Sequence, residues 1–202
     1  MIVFDSVFLM RRQKQIFSNL TFRVEKNEKR ILSGKSGLGK TTLLKLVLGF
    51  ESADSGRVLV NKNPVDPIHI KQIRNQIFYL SQDIDLKKGR LSDFLDEIFL
   101  VCTGKAFNPF QMVEWLSFFE LDKNLLGQDS TDLSGGERQR MGLVIGFMLD
   151  RPIWLLDEPT SALDQKMKEK TARKILGLEK TMVIVSHDPV WQQSNTVCME
   201  RW

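Results

Sequence analysis

Apolar and polar positions alternate along the start of the chain. Ile2 to Leu9 and Leu20 to Val24 read as strands, joined by a basic turn from Arg11 to Lys14. Leu20, Phe22 and Val24 alternate with Thr21 and Arg23, the pattern of a half-buried antiparallel strand. Arg30 to Leu32 is a short strand that runs into Gly34. The leucine-rich stretch from Lys40 to Leu48 then reads as a helix that Gly49 can close as its C′ residue. Arg57 to Val60 and Ile77 to Leu80 are further strands. After Gln82 the period changes: Leu91, Phe94, Leu95, Ile98 and Phe99 fall at helical spacing. Asn108-Pro109 looks like an N-cap with proline at N1, and Met112, Leu116 and Phe119 share one face of the helix that follows. Residues 86–132 therefore read as a helical insertion. Strands return at Ile153 to Leu156, Thr181 to Val185 and Thr196 to Met199. Strands alternating with helices predict an α/β fold with a parallel sheet, an antiparallel β unit at its start and a helical subdomain.

Length and composition bound this picture without changing it. With 202 residues, 42% of them hydrophobic, the chain suits one domain with an ordinary core. The formal net charge is +4. Its basic residues form only short runs, Arg11-Arg12, Lys87-Lys88 and Arg138/Arg140, so nucleic acid is not an expected partner. Cys102 and Cys198 lie far apart, without metal-ligand spacing or a disulfide framework, which suits a reducing compartment. The N-terminus does not read as a signal peptide. No apolar run approaches the ~20 residues of a transmembrane helix, so a membrane role is expected to come through a partner.

Two stretches carry anion-binding chemistry. Gly34-Lys35-Ser36-Gly37-Leu38-Gly39-Lys40-Thr41 matches G-x-x-x-x-G-K-[ST], between a strand and a helix. Such glycines let the backbone wrap phosphate oxygens, and the helix presents its positive end there. Lys40 is then placed to bridge the β- and γ-phosphates, Thr41 to offer its hydroxyl to Mg²⁺, and Thr42 to add a phosphate contact. The metal needs an acid. Ile153-Trp154-Leu155-Leu156 is an apolar strand that ends in Asp157-Glu158, at the carboxyl edge where open α/β sheets bind ligands. Asp157 is expected to hold Mg²⁺ through water, and Glu158 to polarise an attacking water as general base. The second stretch is Leu133-Ser134-Gly135-Gly136-Glu137-Arg138-Gln139. It offers a hydroxyl, two bare backbone positions and a helix start, and Ser134 with Glu137 forms a capping-box pattern.

With these pieces in place the sequence resembles the nucleotide-binding domain of ABC ATPases, over almost its whole length and in motif order. The Walker A is Gly34 to Thr42, the Q-loop glutamine Gln82, the signature Leu133 to Gln139 and the Walker B end Asp157-Glu158. The D-loop is Ser161-Ala162-Leu163-Asp164 and the switch histidine His187. The resemblance implies a P-loop NTPase core over 1–85 and 133–202, with the helical subdomain over 86–132. It implies ATP and Mg²⁺ as ligands and two copies paired head to tail. Ser134, Gly135 and Gly136 of one copy would face the γ-phosphate held by the other. His187 would sense the γ-phosphate or attacking water. Gln82 would touch Mg²⁺ or water and relay nucleotide state to the insertion, and Asp164 would act at the dimer interface.

The implied role is the ATPase subunit of a membrane transporter, peripheral on the cytoplasmic face of the inner membrane and docked on an integral membrane permease. Phe107, Phe110 and Trp115 are candidates either for the docking groove or for the insertion's own core. The alternative is a non-transport ABC ATPase with a nucleic-acid or ribosomal partner. Such relatives carry long coiled coils or two domains, and neither pattern is visible in this sequence. With no regulatory C-terminal domain expected after His187, the architecture resembles small ATP-binding subunits of two-component transporters, including metal-export types. Three departures stand out. The aromatic residue that normally stacks on adenine is replaced near Arg11, with Met10 beside it. A guanidinium can lie on a base face, so weak discrimination between ATP and GTP is expected. The usual Arg after the signature falls at Ile145, and the usual Gly-Glu turn is Asn27-Glu28.

Overall fold

The computed structural model describes residues 1–35, 37–192 and 196–198. Strands β1 (Ile2–Arg11) and β2 (Lys14–Val24) form a hairpin in which Arg11 pairs with Lys14. The two turn residues, Arg12 and Gln13, both have positive φ (47° and 64°), the backbone of a two-residue type I′ turn. Strands β4 (Ser55–Val60) and β5 (Asn63–Pro64) complete an antiparallel sheet of order β2-β1-β4-β5. The hairpin strands run longer than hydrophobic alternation indicated. Main-chain pairing in the ladder continues through polar residues such as Lys14 and Gln15, which contribute no burial signal.

A second sheet is wholly parallel. Its order is β6-β7-β8-β3-β9, with β3 at Lys29–Ser33, β6 at Ile77–Leu80, β7 at Ile153–Asp157, β8 at Thr181–Val185 and β9 at Thr196–Cys198. The expected end of the last strand, Met199, lies outside the described residues. The central strands carry unbroken apolar runs, Ile153 to Leu156 and Met182 to Val185, because both faces are covered. Ile153 and Leu155 point to one core, shared with the antiparallel sheet and with helix α1 (Lys40–Val47). Trp154 and Leu156 point to the other, shared with α5 (Gly135–Leu149) and α6 (Gln165–Leu176). Val183 and Ile184 divide between the two cores in the same way. The short helix α2 (Ile70–Arg74) precedes β6.

The insertion contains α3 (Leu91–Thr103) and α4 (Pro109–Phe118), followed by 3₁₀ turns at Lys123–Gly127 and Ser130–Asp132. The Asn108 side chain accepts from Phe110 N–H, with Pro109 at the first turn, as the sequence predicts. Leu91, Leu95, Phe99, Met112, Leu116 and Phe119 are buried, and their core is continuous with that of α5 and β7. Trp115 stacks on Phe147 at 4.2 Å between ring centroids, and Phe107 lies 5.6 Å from Phe99. Those two aromatics therefore serve packing, whereas Phe110 is 86% exposed. Ile145 is buried among apolar neighbours, so the missing arginine is replaced by core. No helix among the described residues is long and apolar enough to cross a membrane.

Candidate functional site

The site lies at the carboxyl edge of the parallel sheet, where β3, β7 and β8 end side by side. After β3 the chain turns through Gly34, Gly37 and Gly39, all at positive φ, and enters α1. Gly39 cannot be replaced: its φ is +90°, and a Cβ there would stand 2.7 Å from Ile16 Cγ2 and 3.1 Å from the Phe17 ring. The loop therefore packs directly on β2, and this contact fixes the path of its amides. Lys35 and Leu38 belong to the same loop. Ser36, expected among the phosphate ligands, lies outside the described residues.

Lys40 opens α1 and is buried. Its ammonium folds back onto the loop, donating to Gly34 O at 2.5 Å and Lys35 O at 3.0 Å. Burial pushes its pKa down, against the opposing attraction of Glu158 and Asp157. Thr41 Oγ1 donates to Asp157 Oδ2 at 2.7 Å. Burial raises the Asp157 pKa, and the Thr41 hydrogen bond opposes that rise. A hydroxyl and a carboxylate in contact form a pair of oxygen donors. Such a set fits a hard cation such as Mg²⁺, which usually takes one or two protein oxygens and completes its shell with phosphates and water.

Glu158 is held from both ends. Its φ is +49°, its N–H donates to Val185 O at 2.8 Å, and its Oε2 accepts from Ser186 Oγ at 3.0 Å. His187 Nε2 stands 3.8 Å from Glu158 Oε1. An open cavity of about 520 Å³ gathers Gly37, Gly39, Lys40, Thr41, Thr42, Gln82, Asp157, Glu158 and His187, with Ile16 at its rim. Thus the P-loop, the two acids, the glutamine and the histidine share one pocket.

Ser134, Gly135 and Gly136 do not line it. They lie at the start of α5, where the capping box is complete: Glu137 N–H donates to Ser134 Oγ at 3.2 Å, and Ser134 N–H donates to Glu137 Oε2 at 2.9 Å. Ser134 Oγ also donates to Glu137 Oε2 at 2.6 Å. These contacts hold the Glu137 carboxyl below its usual pKa, with the Ser134 hydroxyl as the largest cause. Asp164 is the N-cap of α6, accepting from Met167 N–H at 2.9 Å.

One assignment needs correction. Arg11 does not line the cavity. Its guanidinium is bound to Glu51 Oε2 at 2.7 Å and to the Ser52 carbonyl at 2.8 Å, with Asp54 at 3.4 Å. Two carboxylates and a carbonyl direct it toward the 51–54 turn. The side chains that this hairpin brings to the loop are Ile16, Phe17 and Lys14, whose Nζ lies 3.3 Å from Gly37 O. The sequence places Gln139 in the signature and Ser161 in the D-loop but assigns no role to either side chain, nor to Ser186 beside His187; only proximity in the fold shows what they touch.

The family model described as "ABC transporter" matches residues 17–161. The chain is 32% identical over 184 residues to the glutathione/L-cysteine transport system ATP-binding/permease protein of Haemophilus influenzae, covering 85% of this chain and 31% of that protein. It is 30% identical over 182 residues to the ATP-dependent lipid A-core flippase of Alcanivorax borkumensis, again covering 85% and 31%. The chain thus spans about a third of the length of these curated relatives. In fold it is similar to a bacterial ABC transporter cassette solved as a dimer, with a TM-score of 0.81 and 24% identity over 93% of this chain and 88% of that one. It is also similar to an ATP-bound bacterial Atm1-family ABC exporter, with a TM-score of 0.77 and 22% identity over 92% and 34%.

Proposed function

The chain belongs to the ABC transporter family, and from that premise we propose that it binds and hydrolyses ATP to power a membrane transporter. The observation that carries the reading is a separation within one chain. Lys40, Thr41, Asp157, Glu158 and His187 meet around a single cavity, while Ser134 to Gly136 face outward at the start of α5. A complete site then needs a second copy. In this reading the loop amides and Lys40 hold the phosphates. Thr41 and Asp157, with Gln82 lining the same cavity, would hold Mg²⁺, which when bound would offset phosphate charge. Glu158 accepts a proton from the attacking water, and His187 lies close enough to meet the γ-phosphate side. Ser134 Oγ, Gly135 and Gly136 from the partner copy close over that phosphate with the positive end of α5. ATP joins the two copies, and its cleavage separates them.

The proposed partner is an integral membrane permease, with this chain peripheral on the cytoplasmic face of the membrane. Exposed Phe110 and Val113 on α4 offer an apolar docking surface on the helical insertion. Tagged protein isolated from membranes is expected to bring an integral membrane protein with it. Stimulation of turnover by DNA or ribosomes instead would overturn the transport reading. Glu158→Gln is expected to lower turnover by ~10²–10⁴ while trapping a nucleotide-bound dimer, read by size-exclusion chromatography. Unchanged turnover would remove Glu158 as the base.

A further inference from the structure

The side chain of Gln139 joins two parts of the chain that the proposed function assigns to different nucleotides. Gln139 is 2% exposed and lies in the second turn of α5. Its Nε2 donates to the Glu158 carbonyl at 2.8 Å and to Ser161 Oγ at 3.1 Å. Its Oε1 accepts from Ala162 N–H at 2.8 Å. Both ends of the amide are thus committed to the turn that follows β7. Gly136 reinforces the contact, since a Cβ there would lie 3.1 Å from Ala162 O. A small second cavity bounded by Gly135, Arg138, Gln139 and Ala162 shares Gln82 and Ser161 with the nucleotide cavity. The start of α5 and the base-bearing segment are therefore in direct contact.

From this geometry we infer that Gln139 is a positioning residue that couples the two composite sites of a dimer. The inference rests on the proposed head-to-tail pairing. When Ser134 to Gly136 engage a γ-phosphate on the partner copy, the first turns of α5 move with that contact. Gln139 carries the motion to the carbonyl of its own chain's Glu158, whose carboxylate is fixed independently by Ser186. Glu158 sits at φ +49°, a conformation that costs energy for a residue with a side chain. Hydrogen bonds at its N–H, its carbonyl and its carboxylate hold it there; the carbonyl accepts from Gln139 Nε2 and, at 3.2 Å, from Ser161 N–H, so the bond from Gln139 helps to fix the backbone from which the base projects. Occupancy of one site is thereby reported to the base of the other within a single chain.

The test uses the full chain with two substitutions. Gln139→Met keeps the side-chain length and removes all three hydrogen bonds. Gln139→Glu keeps an acceptor for Ala162 N–H and removes donation to Glu158 and Ser161. The unaltered chain is expected to hydrolyse ATP with a Hill coefficient approaching about 2, the number of sites. Both variants are expected to retain nucleotide affinity as monomers and ATP-driven pairing in a Glu158→Gln background. Their kcat should fall about tenfold and their Hill coefficient should drop toward about 1. If Gln139→Met fails to fold, Gln139→Glu carries the test. Cooperativity retained in a folded variant overturns the inference, including the case where only Tm falls. Absence of ATP-driven pairing in the Glu158→Gln chain with Gln139 intact overturns the pairing model and this inference together, so the two failures are distinguishable.

Discussion

Replacing Ser134 by alanine separates two duties that this residue carries. In the structure its hydroxyl accepts from Glu137 N–H and donates to Glu137 Oε2. Alanine removes both bonds and leaves only the one from Ser134 N–H to Glu137 Oε2. The loss of an N-cap hydroxyl costs about 1 kcal/mol, which in a chain of this size corresponds to a fall in Tm of about 2–4 °C. The loss is expected to depend on pH with a definite sign. Glu137 has a folded-state pKa below the ordinary 4.5, chiefly because of the Ser134 hydroxyl. A carboxylate depressed in this way contributes stability that is present above its unfolded pKa and lost as pH falls through its folded value. The gap in Tm between the unaltered chain and Ser134→Ala should therefore narrow on acidification below about pH 4.5. Thermal denaturation without nucleotide, at neutral pH and at mildly acid pH, measures it. A gap that is absent at neutral pH, or that widens with acid, refutes the capping argument. Ser134→Asn then isolates the second duty. Asparagine caps about as well as serine, so stability should return, whereas ATP-driven pairing in a Glu158→Gln background should not. Recovery of pairing together with stability would refute the role of this hydroxyl at the partner's phosphate.

Other outcomes follow from the same geometry. Burial raises the Asp157 pKa, so its ionised form costs the nucleotide-free fold stability that would be fully present below its unfolded pKa and is lost as pH rises through the raised value. Mg²⁺ competes with that proton, so Mg²⁺ affinity in the presence of nucleotide should weaken as pH falls into the acid range, and Asp157→Asn should raise the neutral-pH Tm of the empty protein while abolishing metal dependence. A Tm that falls in Asp157→Asn would contradict the burial argument. Gly146→Ala should destabilise by about 1–3 kcal/mol, measured by urea denaturation, because its Cβ would lie 2.3 Å from the Phe78 ring, which packs edge-on against Trp154. A neutral result would show that Phe78 can move aside at no cost.

Much of the site was legible because its elements carry local signals. The P-loop is contiguous, its helix begins at Lys40 as the pattern indicates, and β7 announces itself by an apolar run ending in two acids. The Ser134–Glu137 capping box follows from spacing alone and is present. Arg11 was misplaced because alignment along a strand fixes a position but not a side chain's partners. Glu51 and Asp54 are distant in sequence, and only the pairing of β1 with β4 brings their turn beside it. Phe107 and Trp115 were ambiguous for a similar reason: helical spacing cannot distinguish a docking face from a face that meets Phe99 or Phe147.

The sequence by itself determined the class of chemistry, because amide-rich glycine turns, a lysine and strand-end acids act through identity and short-range spacing. It also determined the two kinds of sheet, because β7 and β8, covered on both faces, carry unbroken apolar runs, whereas strands covered on one face alternate. The tertiary structure alone decided contacts across long separations that no motif announces: Ser186 with Glu158, and Gln139 with the turn at Ser161 and Ala162. Hydrogen bonds depend on distances of about 3 Å, and the side-by-side order of β7, β8 and β3, which sets those distances, is written in no local pattern.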